Sequence, residues 1–139
     1  MTRPGWRALA YLGAWSLLLA GGCARDGHGR QKVSGTVTWG GQPLREGTIE
    51  FFPAGGPPGP AAGALIRNGA YAVPKEQGLA PGAYRVTIRS PVVDRSAPPG
   101  GMSSPPTREQ VPARYNARSE LTADVRAGEP NRFDFHLEP

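Results

Sequence analysis

Cysteine, histidine and methionine are almost missing from this chain: one Cys, two His and two Met stand among 139 residues. A single thiol excludes an intrachain disulfide and any Cys-based metal cluster. Two His are too few for a zinc triad without carboxylate help. Hydrophobic residues (38%) and charged residues (19%) both fall below ordinary globular usage, which excludes a large helical enzyme. The 16 basic residues form no run longer than two and are not interleaved with aromatics, so nucleic acid is not expected as a partner. What the chain has instead is glycine and proline, 20 and 16 residues, about a quarter of its length. Such a composition suits short strands joined by turns and loops, and the length suits one domain.

Residues 1–22 differ in kind from the rest. Arg3 and Arg7 precede an uncharged stretch of 13 residues from Ala8 to Ala20. As a helix this stretch would span about 20 Å, short of the roughly 30 Å of a bilayer core and suited to a signal-peptide h-region. The small residues Ala20, Gly21 and Gly22 follow, and then the sole cysteine, Cys23. The segment Leu19-Ala20-Gly21-Gly22-Cys23 resembles the lipobox of bacterial lipoproteins, with Ala20 where that pattern usually has Leu. The resemblance implies a signal peptide over 1–22, cleavage before Cys23, and a diacylglyceryl group on its thiol. An ordinary secretory signal is the alternative, but it would leave a free thiol in an oxidising compartment. Removing Arg3 and Arg7 takes the basic residues from 16 to 14 against 11 acidic, a net charge of +3.

Residues 23–32 are polar and Gly-containing and read as the lipidated Cys23 and a flexible tether. From residue 33 the pattern is that of strands. Val33, Val37 and Trp39 alternate with Ser34, Thr36 and Thr38, and Gly40-Gly41 closes a tight turn. Ile49 and Phe51 alternate with Thr48 and Glu50 over 47–53. Asn68-Gly69 between the apolar runs 64–67 and 70–73 predicts a type I′ hairpin, whose two central residues both need positive φ. Tyr84, Val86 and Ile88 face inward over 82–89, with Arg85, Thr87 and Arg89 outward. Two final strands, 121–126 and 132–137, flank a turn at 127–131 and turn Leu121, Val125, Phe133, Phe135 and Leu137 to the core. The Pro- and Gly-rich segment at about 90–112 reads as a long, largely disordered loop with little to bury. Seven strands without a helix predict an all-β, Ig-like or prealbumin-like sandwich over 33–139.

Two stretches carry a family resemblance. Val33-Ser-Gly-Thr-Val-Thr-Trp-Gly-Gly-Gln-Pro-Leu44 with Gly47-Thr-Ile-Glu-Phe51 is similar to the opening of carboxypeptidase regulatory-like domains, relatives of the transthyretin-like sandwiches. Pro81-Gly82-Ala83-Tyr84-Arg85-Val86 resembles their "P-G-x-Y-x-V" strand. Val111-Pro-Ala-Arg-Tyr115-Asn116 and Asn131-Arg-Phe-Asp-Phe135 resemble a subset of small bacterial lipoproteins carrying this domain alone. The resemblance implies a seven-stranded prealbumin-type fold serving as a structural or interaction module without chemistry of its own. Transthyretin-like folds also include a hydrolase with His and Arg residues and a terminal Tyr-Arg-Gly-Ser; this chain ends Phe-His-Leu-Glu-Pro.

Individual residues point the same way. His136 takes the outward phase of the last strand, and His28 lies in the tether. No Ser stands in a Gly-x-Ser-x-Gly context. The last two strands are expected to form a hairpin with Asp124 and Asp134 facing each other across it, where Arg126 and Arg132 favour cross-strand ion pairing over a Ca²⁺ site. Tyr115 is expected to plug one end of the sandwich, and Phe52 is the one aromatic expected on the outer face. The sequence therefore predicts a non-catalytic, lipid-anchored structural or interaction module of the cell envelope, with no cofactor and no metal. A binder of glycans or small ligands is the alternative, and a transthyretin-like hydrolase follows behind it. Its partners would be the membrane, through Cys23, and an unidentified envelope protein or glycan. Ala24, rather than Asp, follows Cys23, which favours the outer over the inner membrane.

Overall fold

A computed structural model describes residues 29–56, 61–98 and 105–139. The signal segment 1–22, Cys23, His28 and the tether as far as residue 28 lie outside the described residues. The described chain is almost entirely strand and loop, with single 3-10 turns at Lys75–Gln77 and Ala113–Tyr115. Its strands are β1 (Val33–Trp39), β2 (Gln42–Pro43), β3 (Glu46–Pro53), β4 (Ala62–Arg67), β5 (Ala70–Val73) and β6 (Gly82–Arg89). They continue with β7 (Pro91–Val93), β8 (Thr107–Glu109), β9 (Thr122–Val125), β10 (Asn131–Arg132) and β11 (Phe135–Leu137).

The main sheet runs β10-β1-β5-β4-β3-β6-β9, with β11 and β2 also on β1. The hairpin between β4 and β5 is its corner. Asn68 and Gly69 have φ of 48° and 78°, as a type I′ turn requires, yet only Arg67 and Ala70 pair across it. Beyond that rung the strands splay, and the sheet folds over so that β11/β10-β1-β5 lies against β4-β3-β6-β9. Val33, Val37, Ile49, Phe51, Ile66, Val86, Ile88 and Leu137 meet between the two layers, each at most 1% exposed. The protein is an all-β sandwich.

The alternation sorts most side chains as the sequence predicts, with instructive departures. Thr87, expected outside, is only 5% exposed, because β6 is a central strand and Glu50 reaches across from β3 to accept its hydroxyl at 3.4 Å. Leu121 and Phe133 are half-buried against the core rather than within it. Tyr84 sits at the start of β6 and donates its hydroxyl to the Ala80 carbonyl at 2.8 Å, the tyrosine-corner arrangement that ties a strand to its approach loop.

Eleven strand segments among the described residues replace the expected seven. Much of the difference comes from the Pro-rich stretch, which is not a loop from end to end. Pro91, Val92 and Val93 pair with Glu109, Arg108 and Thr107 in an antiparallel ribbon. Val111 beyond it is 2% exposed in the core. The Glu109 carboxylate accepts the Ser90 N–H at 2.8 Å and the Val111 N–H at 3.0 Å. The end of the tether is also held, since Gln31 exchanges backbone hydrogen bonds of 2.7 and 3.0 Å with Leu79.

The last two strands do not form the expected hairpin. β9 pairs with β6, whereas β10 and β11 run parallel to β1, Val33 opposite Asn131 and Val37 opposite Phe135. Asn131 braces the turn at which the chain leaves one layer for the other. Its side-chain amide donates to the carbonyls of Arg126 and Glu129 at 2.9 and 3.1 Å, and its side-chain oxygen accepts the Arg126 N–H at 2.8 Å. Asp134 bridges the gap between β10 and β11, accepting the backbone N–H and the hydroxyl of Thr36 at 2.7 and 2.8 Å.

Candidate functional site

The titratable groups singled out by the sequence are spread over the sandwich and engaged separately. His136 lies exposed on β11 with Nδ1 2.9 Å from the Thr38 hydroxyl. Asp134 is held below the usual carboxylate range, first by the Thr36 hydroxyl, then by the Thr36 N–H and by Arg132. Asp124 lies on β9, which pairs with β6, and Asp134 lies between β10 and β11, which both pair with β1. Their ion pairs are local, Asp124 with Arg126 and Asp134 with Arg132, each at 3.2 Å, and not across a hairpin. Among the described residues no three His, Cys, Asp or Glu side chains are grouped as metal ligands would be.

The buried polar groups are spent on structure. Ser90 donates its hydroxyl to the Glu46 carbonyl, and Ser119 donates to that of Val86. Tyr71, 4% exposed, donates to the Phe133 carbonyl at 2.8 Å. Burial pushes its phenol above the usual range, Asp134 adds to this, and Arg132 opposes it. Tyr115 packs half-buried against the core, and its oxygen accepts the Glu138 N–H at 3.1 Å. Arg114 lies over its ring at 4.9 Å and donates to the carbonyls of Glu138 and Pro139. Phe52, the expected outer aromatic, is half-buried with the Arg85 guanidinium 5.2 Å above its ring.

A groove of about 1170 Å³ opens at one end of the sandwich. Four elements finish there: the end of β1 with Trp39, the start of β3 with Arg45 and Glu46, the Asn68 turn, and the exit of β6 at Ser90. The β7 strand and Arg95 form the far wall, and Leu44 and Pro43 line it as well. The walls are fixed by backbone bonds. Asn68 N–H donates to the Arg45 carbonyl at 2.8 Å, Gly69 to Leu44 at 2.7 Å, and Leu44 to Val37 at 2.9 Å. The Gln110 amide donates to the Ser90 hydroxyl at 2.6 Å, stitching the ribbon to the exit of β6.

Trp39 corrects the sequence reading. Alternation puts it in phase with Val33 and Val37, but it is half-buried, with one part against the core and another lining the groove. At the last residue of β1 the opposing layer no longer covers the whole side chain. The groove was missed for that reason, and because its other wall comes from the segment read as disordered. The signal available was the pair of arginines, Arg45 and Arg95, in stretches otherwise built of turn residues.

No family model matches the chain, and no curated protein or solved structure matches it.

Proposed function

We propose that this chain is a lipid-anchored, non-catalytic interaction module of the cell envelope, held through a diacylglyceryl group on Cys23 and displaying its sandwich at the membrane surface. The carrying observation is the sole cysteine placed directly after an apolar stretch and small residues, with the first core strand beginning ten residues later at Val33. The resemblance to carboxypeptidase regulatory-like domains supports a structural or interaction role. So does the engagement of Ser90, Ser119, Tyr71 and Asp134 in hydrogen bonds that close the fold. A nucleophilic hydroxyl needs a base to take its proton, and the hydroxyls of Ser90, Ser119 and Tyr71 give theirs to backbone carbonyls. The glycan- or small-ligand-binding reading is favoured by one specific feature, the half-exposed Trp39 on a preformed groove. The outer membrane is the proposed site, on the strength of Ala24 after Cys23.

Metabolic labelling with a clickable fatty acid tests the anchor. The full chain is expected to label and Cys23→Ser is not. A Cys23→Ser chain that still labels sinks the anchoring proposal.

A further inference from the structure

The groove's lining carries recognition chemistry that the fold does not use. The Trp39 indole N–H and the side-chain amides of Gln42 and Asn68 have no hydrogen-bond partner among the described residues. Arg45 and Arg95 line the groove, and among the described residues neither has a carboxylate within ion-pair distance. Among the groove's lining residues Glu46 is one negative charge against two guanidiniums. Asp94 and Glu109 also keep their charge, but they stand outside the lining, Glu109 hydrogen-bonded to the N–H groups of Ser90 and Val111 and Asp94 to the N–H and hydroxyl of Ser96.

We propose that this groove binds an acidic oligosaccharide, Trp39 stacking on a sugar ring while Arg45 and Arg95 hold its carboxylate. The reading rests on the domain being an interaction module. A half-exposed indole offers a flat face to sugar C–H groups and a donor at its edge. Guanidinium forks match carboxylates in two-point geometry, and unengaged amides suit hydroxyls, which both donate and accept. At about 1170 Å³ the space exceeds the roughly 300–1,000 Å³ of ordinary small-ligand pockets, which favours a chain of sugars over a single one. An acidic peptide would satisfy the arginines but has less use for the indole face and the amides. Because the walls are held by backbone hydrogen bonds, little ordering would accompany binding.

The test uses the lipid-anchored protein in detergent, in which cleavage before Cys23 leaves Trp39 as the only indole; Trp6→Phe and Trp15→Phe leave it the only indole in an uncleaved chain as well. Trigalacturonate is titrated against Trp39 emission, with isothermal titration as a second readout. Saturable binding at millimolar concentration or below is expected. Arg45→Gln and Arg95→Gln should each weaken it about tenfold, the scale of one charge-assisted hydrogen bond. Arg132→Gln, remote on β10, should leave it unchanged. Absence of saturation by both readouts overturns the proposal. So does equal binding of neutral maltotriose, which would leave the arginines idle, or of tetraglutamate, which would make the site one for acidic peptides. Loss of fatty-acid labelling at Cys23 would remove the anchor and leave this titration intact, so the two failures are distinguishable.

Discussion

Gly35 offers a sharp test of how the two ends of the domain are joined. It lies buried in β1, where a Cβ would stand 1.8 Å from the Phe133 carbonyl oxygen and 2.9 Å from the Tyr71 hydroxyl. Its φ is not among the positive ones, so alanine is compatible with the backbone. On unfolded-state entropy alone, Gly35→Ala would stabilise by about 0.4–1 kcal/mol. The structure predicts the opposite sign. The 133 carbonyl must move, which is overpacking at about 1–3 kcal/mol. The same movement strips the buried Tyr71 hydroxyl of its acceptor, for about 1–3 kcal/mol more. The net expectation is a loss of about 2–5 kcal/mol, a large share of a small domain's stability. Urea unfolding followed by far-UV circular dichroism should show a lower midpoint at an unchanged slope. Tyr71→Phe alone should cost about 1–2 kcal/mol, and the double variant should lose less than the sum, since alanine has already broken that bond. A Gly35→Ala chain as stable as the parent, or more so, would refute the parallel closure of β1 by the chain's last strands.

Two further outcomes follow from local geometry. Gly69 has φ of 78° and would set a Cβ 2.7 Å from the Cβ of Pro43, so Gly69→Ala should destabilise by about 1–3 kcal/mol, whereas Asn68→Gly should be close to neutral; thermal melts of both variants check the contrast. Asp134 should titrate below its usual range, and Thr36→Val, by removing the hydroxyl that is the largest cause, should move the midpoint upward in an NMR pH titration. A carboxyl depressed in the folded state contributes stability above its unfolded value and loses it as pH falls through the folded one. The parent should therefore resist mild acid better than Thr36→Val.

Local pattern was enough to read most of the sandwich, and it failed where the partner of a strand had to be named. Alternation exposed the inward phases of β1, β3 and β6, and Asn68-Gly69 announced a turn whose φ values only such a pair adopts easily. For 121–126 and 132–137, alternation identifies faces but carries no information about which strand lies alongside. A five-residue connection reads naturally as a hairpin, because short connections usually join neighbours. Here Asn131 overrides that habit. Its three hydrogen bonds to Arg126 and Glu129 turn the chain across the sandwich, and Asp134 then fixes the register on Thr36, ninety-eight residues earlier.

The groove was illegible for a related reason. Periodicity assumes that both layers are equally long, so an in-phase residue is an inward residue. Trp39 keeps the phase of Val33 and Val37 but stands at the rim, and a side chain that large has atoms left over once the layer beneath it ends. The opposite wall depends on a second exception. Pro, Gly and Ser between 90 and 112 argue against a ladder, yet a ladder of three rungs needs no more than the residues at 91–93 and 107–109. Glu109 makes those rungs worth forming, since one carboxylate oxygen takes the N–H groups of both Ser90 and Val111, groups that would otherwise be left near a core without partners. Composition averages over such a residue. A single acid at the end of a short strand thus ties the start of the 91–93 strand and the end of the 107–109 strand to the exit of β6, where they stand as a wall of the groove beside Trp39.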